Sequence, residues 1–100
     1  FLGGIMPSKD IFNYFSDDLV VIRQWDVNGS HYSKTSKGWL DNHYKNKKEI
    51  IKIFRNHYDD PIAWFNRWRI FFLTCEVFFG MKEGDEYFVS HYLLEKAKSK

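Results

Sequence analysis

The segment from Glu86 to Leu94 is apolar on both of its alternating faces, with Tyr87, Val89 and Leu93 on one side and Phe88, Tyr92 and Leu94 on the other. Residues two apart in an extended chain share a face, so this pattern describes a strand covered above and below. One other segment has strand character. Leu19 to Val27 is β-branched at Val20, Val21 and Ile22 and sets Leu19, Val21, Trp25 and Val27 on one face. Two strands alone are marginal in water; a helical pair packed on them is the smallest stable arrangement, and a larger sheet completes it.

The helical pair is expected between the strands. Asn28-Gly29 ends the first strand, and Ser30 is the expected N-cap of a long helix. Its positions Tyr32, Trp39, Leu40, Ile50, Ile53, Phe54 and His57 recur at three- to four-residue intervals, with weak or kinked points at Gly38 and from Asn42 to Lys48. A second helix is expected from Pro61 to Phe79: Asp60 caps the exposed amides, Pro61 lacks an N–H that the first turn would not use, and Gly80 supplies the stop. Residues 1–18 read as a connector with one helical turn from Ser8 to Phe15, capped by Ser8 or Asp10.

Length and composition remove several function classes. One hundred residues hold one hydrophobic core but not a cofactor domain beside a substrate domain. The chain opens on Phe1 within the apolar FLGGIM, which reads as a cut through a larger protein. A net charge of +2 with both signs interspersed makes no field for nucleic acid. The single Cys75 sits in the apolar run IFFLTCEVFF and is expected as a buried thiol in a reducing compartment, the cytoplasm. That run is far short of the ~20 residues that span a bilayer, and the four histidines show no paired metal-ligand spacing. The cluster Lys45-Asn46-Lys47-Lys48 is a solvated helix face, with peripheral contact to anionic lipid as its furthest reach. Aromatic residues make up 20% of the chain, a load that suits a large shared interface or a pocket for an apolar ligand.

The run WDVNGSHYSKTSKGW holds Trp25, Gly29, Tyr32, Thr35 and Trp39 in the pattern W-x3-G-x2-Y-x2-T-x3-W. This spacing resembles the stretch of cyclopropane fatty acid synthases that carries an active-site tyrosine. The flanking GGIMPSKDIFNYFSDDLVV and GDEYFVSHYLLEK are still more similar to the coclaurine N-methyltransferase branch of that superfamily. Both branches use S-adenosylmethionine. The resemblance covers nearly the whole chain and implies an α/β fold: the C-terminal part of a class I (Rossmann-like) methyltransferase, with two antiparallel strands flanking a two-helix insertion. It implies a substrate-side fragment over residues 1–100, inactive alone, whose partner is the missing cofactor-binding part of the same protein or a companion chain. The glycine-rich cofactor loop and its acidic partner have no counterpart here.

By the same resemblance Tyr32 takes the place of the catalytic tyrosine, where a phenol donates one hydrogen bond and accepts another. In the synthases that tyrosine helps hold a bicarbonate ion; the departures toward the N-methyltransferases at VNGSHY leave the ion open. Trp68, Phe71, Phe72 and Cys75 share one helix face, extended by Trp64 and Phe79, and RWRIFFL resembles the family's pocket-lining helix. An aromatic stripe is usually core, and core and substrate wall can coexist. Trp25 and Trp39 are expected to be structural. The glutamate and histidine that serve the N-methyltransferases as general base match no residue here, so His31, His43, His57 and His91 receive no such role.

Two functions follow. The first is part of a methyltransferase acting on an amine nitrogen or an unsaturated fatty acyl chain. The second is a non-catalytic, aromatic-rich module that docks on a partner; an upstream glycine-rich βα motif in the same or an adjacent gene separates the two. On the first reading the 100-residue chain binds no S-adenosylmethionine. Titration calorimetry should show no heat of binding, and a micromolar dissociation constant would place a cofactor site within the chain.

Overall fold

The computed structural model describes residues 3–98. In order it holds a 3-10 turn (Ile11–Tyr14), strand β1 (Leu19–Asn28), helices α1 (Gly29–Lys45), α2 (Lys47–Arg55) and α3 (Pro61–Gly80), a second 3-10 turn (Met81–Gly84) and strand β2 (Phe88–Lys96). The chain divides into two compact units, residues 1–27 with 90–100 and residues 28–89.

The first unit is built on the pairing of β1 with β2. The strands are antiparallel. At one end the Ala97 amide donates to the Asp18 carbonyl at 2.8 Å, and at the other the Ser90 hydroxyl donates to the Asp26 carboxylate at 2.6 Å. That hydroxyl holds the Asp26 carboxyl below its ordinary value; burial opposes it, and Lys9 adds a hydrogen bond and its charge in the same direction as Ser90. The segment before β1 is tied down at Lys9, whose carbonyl accepts from Gln24 at 3.2 Å and from the Tyr92 hydroxyl. The Phe12 ring meets the Tyr92 ring edge-on at 4.7 Å. Trp25 lies on His91 with centroids 5.4 Å apart. The turn at Ile11–Tyr14 is shorter than the expected Ser8 to Phe15; the Asp10 side chain does not cap it, but the Ser8 hydroxyl accepts the Asp10 amide at 3.2 Å at its entry.

The second unit is helical. Its entry corrects the expected cap: Asn28, not Ser30, closes α1, its side-chain oxygen accepting the Ser30 amide at 2.8 Å. Gly29 is the first helical residue and is buried. A Cβ there would run into the carbonyl oxygens of Tyr87 and Phe79, so the glycine of the W-x3-G-x2-Y pattern marks a backbone-to-backbone approach. Gly84 completes the junction with φ +87°, and the Asn28 amide donates to Asp85 at 3.0 Å. Gly38, expected as a weak point, interrupts nothing; the break comes at Asn46, where the backbone leaves helical geometry and the side chain bonds the Asn42 carbonyl at 2.8 Å. Helix α3 begins as expected, with Asp60 accepting the Ala63 amide at 3.0 Å. Gly80 is its last residue, but the left-handed stretch falls on Lys82, Glu83 and Gly84.

Helix α1 packs chiefly along α3, and Ser36, Leu40 and His43 make its buried face. Ser36 is fully buried, a small side chain at this face. Among the described apolar residues only Leu40 and Phe65 are buried, while Ile5, Phe15, Ile22, Ile62, Ile70 and Val77 are each more than half exposed. Strand β2 is likewise open on both faces, with Phe88 45% and Leu93 48% exposed, so the two-sided cover expected for it is not supplied by these residues.

Two glycines of one helix should respond oppositely to alanine. Gly29→Ala forces the start of α1 away from Tyr87 and Phe79 and should cost about 2 kcal/mol or more. Gly38 meets nothing within 4 Å, and Gly38→Ala should add roughly 0.5–1 kcal/mol by its helix propensity. Urea unfolding of both variants checks the pair, and equal effects would remove the close-approach account of Gly29.

Candidate functional site

Tyr32 stands in the first turn of α1, placed there by the Asn28 cap and the Gly29 junction. Its half-buried ring lies against Phe79 at 4.5 Å and meets Trp39 edge-on at 5.8 Å. Burial raises the ionisation of the phenol above its ordinary value; the nearby Cys75 adds to this through its charge and a hydrogen bond. Cys75 is half-buried rather than fully buried as expected. Burial raises its thiol too, and the bond from Tyr32 offsets only part of that. Both groups are protonated at neutral pH, so the thiol is no nucleophile and the phenol keeps its donor. Beside them the Ser33 hydroxyl donates to the Glu76 carbonyl at 2.6 Å and fixes this end of α1 against α3.

The other expected residues gather around Phe72. Its ring is 5.8 Å from Trp68, 5.8 Å from Phe71 and 6.0 Å from Trp39, and Trp68 meets Phe71 edge-on at 5.6 Å. Trp39 thus joins the two sets, touching Tyr32 on one side and Phe72 on the other. It was expected to be structural, yet it is 44% exposed. Phe79 extends the stripe as expected. Trp64 turns away and stacks on Tyr58 at 4.3 Å, with the Arg67 guanidinium 4.7 Å from its ring.

His43 is one of the four histidines that the sequence left without a role. It is 6% exposed, stacks on Phe65 at 3.9 Å and 11°, and places Nε2 2.9 Å from the Phe65 carbonyl. A carbonyl only accepts, so Nε2 carries a proton. The available signal was spacing: His43 falls on the buried face with Ser36 and Leu40, but polar residues do not register in an apolar period. Trp39, Asn42, His43, Asn46, Ile50 and Phe72 line an open groove.

The described residues do not fit S-adenosylmethionine. The turn from β1 into α1 is the place where a glycine-rich fold would cradle such a cofactor, and at Gly29 it is filled by the carbonyls of Phe79, Gly84 and Tyr87. Among the described residues there is also no group of three or more metal-binding side chains, and no helix is long and apolar enough to cross a membrane.

No protein-family profile matches the chain. It is 36% identical over 94 residues to (S)-coclaurine N-methyltransferase of Papaver somniferum, which covers 91% of this chain and 27% of the relative. To the (S)-coclaurine N-methyltransferase of Thalictrum flavum subsp. glaucum it is 33% identical over 96 residues, 92% of this chain and 27% of that one. A crystal structure of coclaurine N-methyltransferase bound to N-methylheliamine and SAH superimposes with a TM-score of 0.71 at 33% identity, over 92% of this chain and 28% of its own. The chain therefore spans about a quarter of the length of the relatives it matches. Its two antiparallel strands and the helices between them are the C-terminal part of a class I, Rossmann-like methyltransferase fold. Aligned over more than nine tenths of its length in sequence and backbone alike, the chain belongs to the coclaurine N-methyltransferase family, as a C-terminal segment of its methyltransferase fold.

Proposed function

We propose that this chain forms the substrate-side wall of an N-methyltransferase whose acceptor is a small aromatic amine. One observation carries the reading: the backbone shared with an enzyme crystallised with N-methylheliamine and SAH presents, in this chain, a protonated phenol within aromatic walls. The relatives are named for methylation of amines, which favours the amine over a fatty acyl acceptor. S-adenosylmethionine supplies the methyl group, and residues outside these hundred, in the same protein or a companion chain, hold it. The chain alone is then inactive.

What these residues contribute is position and exclusion of water. Phe79 and Trp39 fix the Tyr32 ring, and its hydroxyl accepts an amine N–H while keeping its own proton. That fixes the direction of the nitrogen lone pair and needs no bicarbonate ion. Trp68, Phe71 and Phe72 form an apolar wall against which a flat ring packs.

Tyr32→Phe removes one hydroxyl and keeps the packing ring. In the complete methyltransferase it should lower the rate of methyl transfer to an aromatic secondary amine roughly ten- to a thousandfold, with little change in melting temperature. Wild-type turnover in the variant would remove Tyr32 from the site. Absence of transfer to any such amine by the wild-type protein would overturn the function.

The Tyr32–Cys75 contact has its own readout. Alkylation of Cys75 by iodoacetamide should rise only above the ordinary thiol range, and Tyr32→Phe, which removes the stabilising bond to the sulfur, should move the curve further up. A downward move would contradict the contact. Because both ionisations are raised by folding, the stability they support is present at neutral pH. It is lost in alkali, where the unfolded chain ionises first.

A further inference from the structure

We infer that the outward face of α3, formed by Ile62, Ile70, Leu73 and Val77, docks on the cofactor-binding part of the methyltransferase, with Arg69 holding a carboxylate of that part at the margin. The inference rests on the reading above that residues outside these hundred hold the cofactor, and it names the surface that meets them.

The face follows from helix geometry. Ile62, Leu73, Val77 and Ile70 fall within one stripe about 80° wide, with Asn66 between them. The rings that meet α1, Phe65, Phe72 and Phe79, lie a quarter-turn or more from the centre of that stripe, so α1 does not use it. Ile62 is 57%, Ile70 56%, Leu73 47% and Val77 56% exposed. Apolar side chains this open, aligned over four turns of one helix, mark an interaction surface rather than scattered surface residues.

Arg69 states what the partner must carry. It stands between the stripe and the seam with α1, and its Nε is buried without a hydrogen-bond partner. Among the described residues the guanidinium also forms no ion pair. The single acidic residue of α3, Glu76, is two turns further on, roughly 10 Å along the axis and out of reach. Withdrawing one edge of a cation from water without an acceptor is costly, and a carboxylate removes that cost by taking the parallel Nε–H and Nη–H with its two oxygens. The fitting surface is therefore aliphatic with one Asp or Glu at its border. The solved relative holds the equivalent segment as 28% of a single chain. A cofactor-binding part tethered in that way sits at an effective concentration on the order of millimolar, which a second copy would have to exceed.

The test uses the complete methyltransferase. Leu73→Cys should be alkylated by a maleimide at least about tenfold more slowly than Lys48→Cys, an exposed control on α2, each normalised to its own rate in urea and read by peptide mass. Arg69→Lys keeps the charge and supplies an amine that a carbodiimide couples to a paired carboxylate. Treatment should give an amide from position 69 to one Asp or Glu of the cofactor-binding part. Alkylation of Leu73→Cys at the control rate, an amide that joins two copies of the chain, or no amide at position 69 would each overturn the inference while leaving the methyl-transfer reading in place. The expected protection and amide, in a protein that transfers no methyl group to an aromatic amine, would support the docking and sink the activity.

Discussion

The backbone contact at Gly29 sets the rest of the helical unit. Here the first residue of α1 passes so close to the carbonyls of Tyr87 and Phe79 that no side chain fits. Asn28 secures the contact in two directions, capping α1 through Ser30 and holding Asp85 of the returning loop. The chain comes back to this point with Gly84 in a left-handed conformation after Lys82 and Glu83, two residues for which that conformation is unfavourable. The local strain is offset by a junction that locks the start of α1 to the end of α3. Tyr32 is one turn away, so the position of its phenol follows from a clamp made of main chain rather than of flexible side chains.

Apolar surface is distributed in an unusual way for so short a chain. Leu40 and Phe65 are enclosed, whereas the outward residues of α3 and both faces of β2 remain open. Ring-on-ring contacts take over much of the ordering that a deep aliphatic core would give: a row from Phe79 through Tyr32, Trp39 and Phe72 to Trp68 runs between α1 and α3. On the proposed function, the rings that order the fold are also the wall against which a flat acceptor packs.

The sequence showed both strands, the start of α3 at Asp60-Pro61 and the joining of Trp68, Phe71 and Phe72, because periodicity and cap chemistry are local. It showed Tyr32 only through the five-residue pattern. Its weaker points share one cause. Ser30 and Asn28 are both good caps, and the choice between them was made by Asp85, fifty-seven residues away, which no local rule registers. Gly38 passed for a kink although its surroundings are empty, whereas the break expected between Asn42 and Lys48 does occur, at Asn46, whose side chain bonds the Asn42 carbonyl. Trp39 and His43 were passed over because their importance depends on Phe72 and Phe65 across the helix pair. Thr35 is exposed, and nothing in the structure explains its place in the pattern.

His43 engages Phe65 twice, ring on ring and nitrogen on carbonyl. Either contact alone would permit α1 to slide or roll on α3, since an aromatic stack tolerates sideways travel and a hydrogen bond tolerates rotation. Together they act as a detent. Moving α1 by one helical turn would strand a buried donor and carbonyl in the same step, a cost that falls on both partners at once. The two helices therefore behave as one rigid bar at this level, and any widening of the neighbouring groove must come from rotation of side chains such as Trp39 and Ile50, not from separation of the helices.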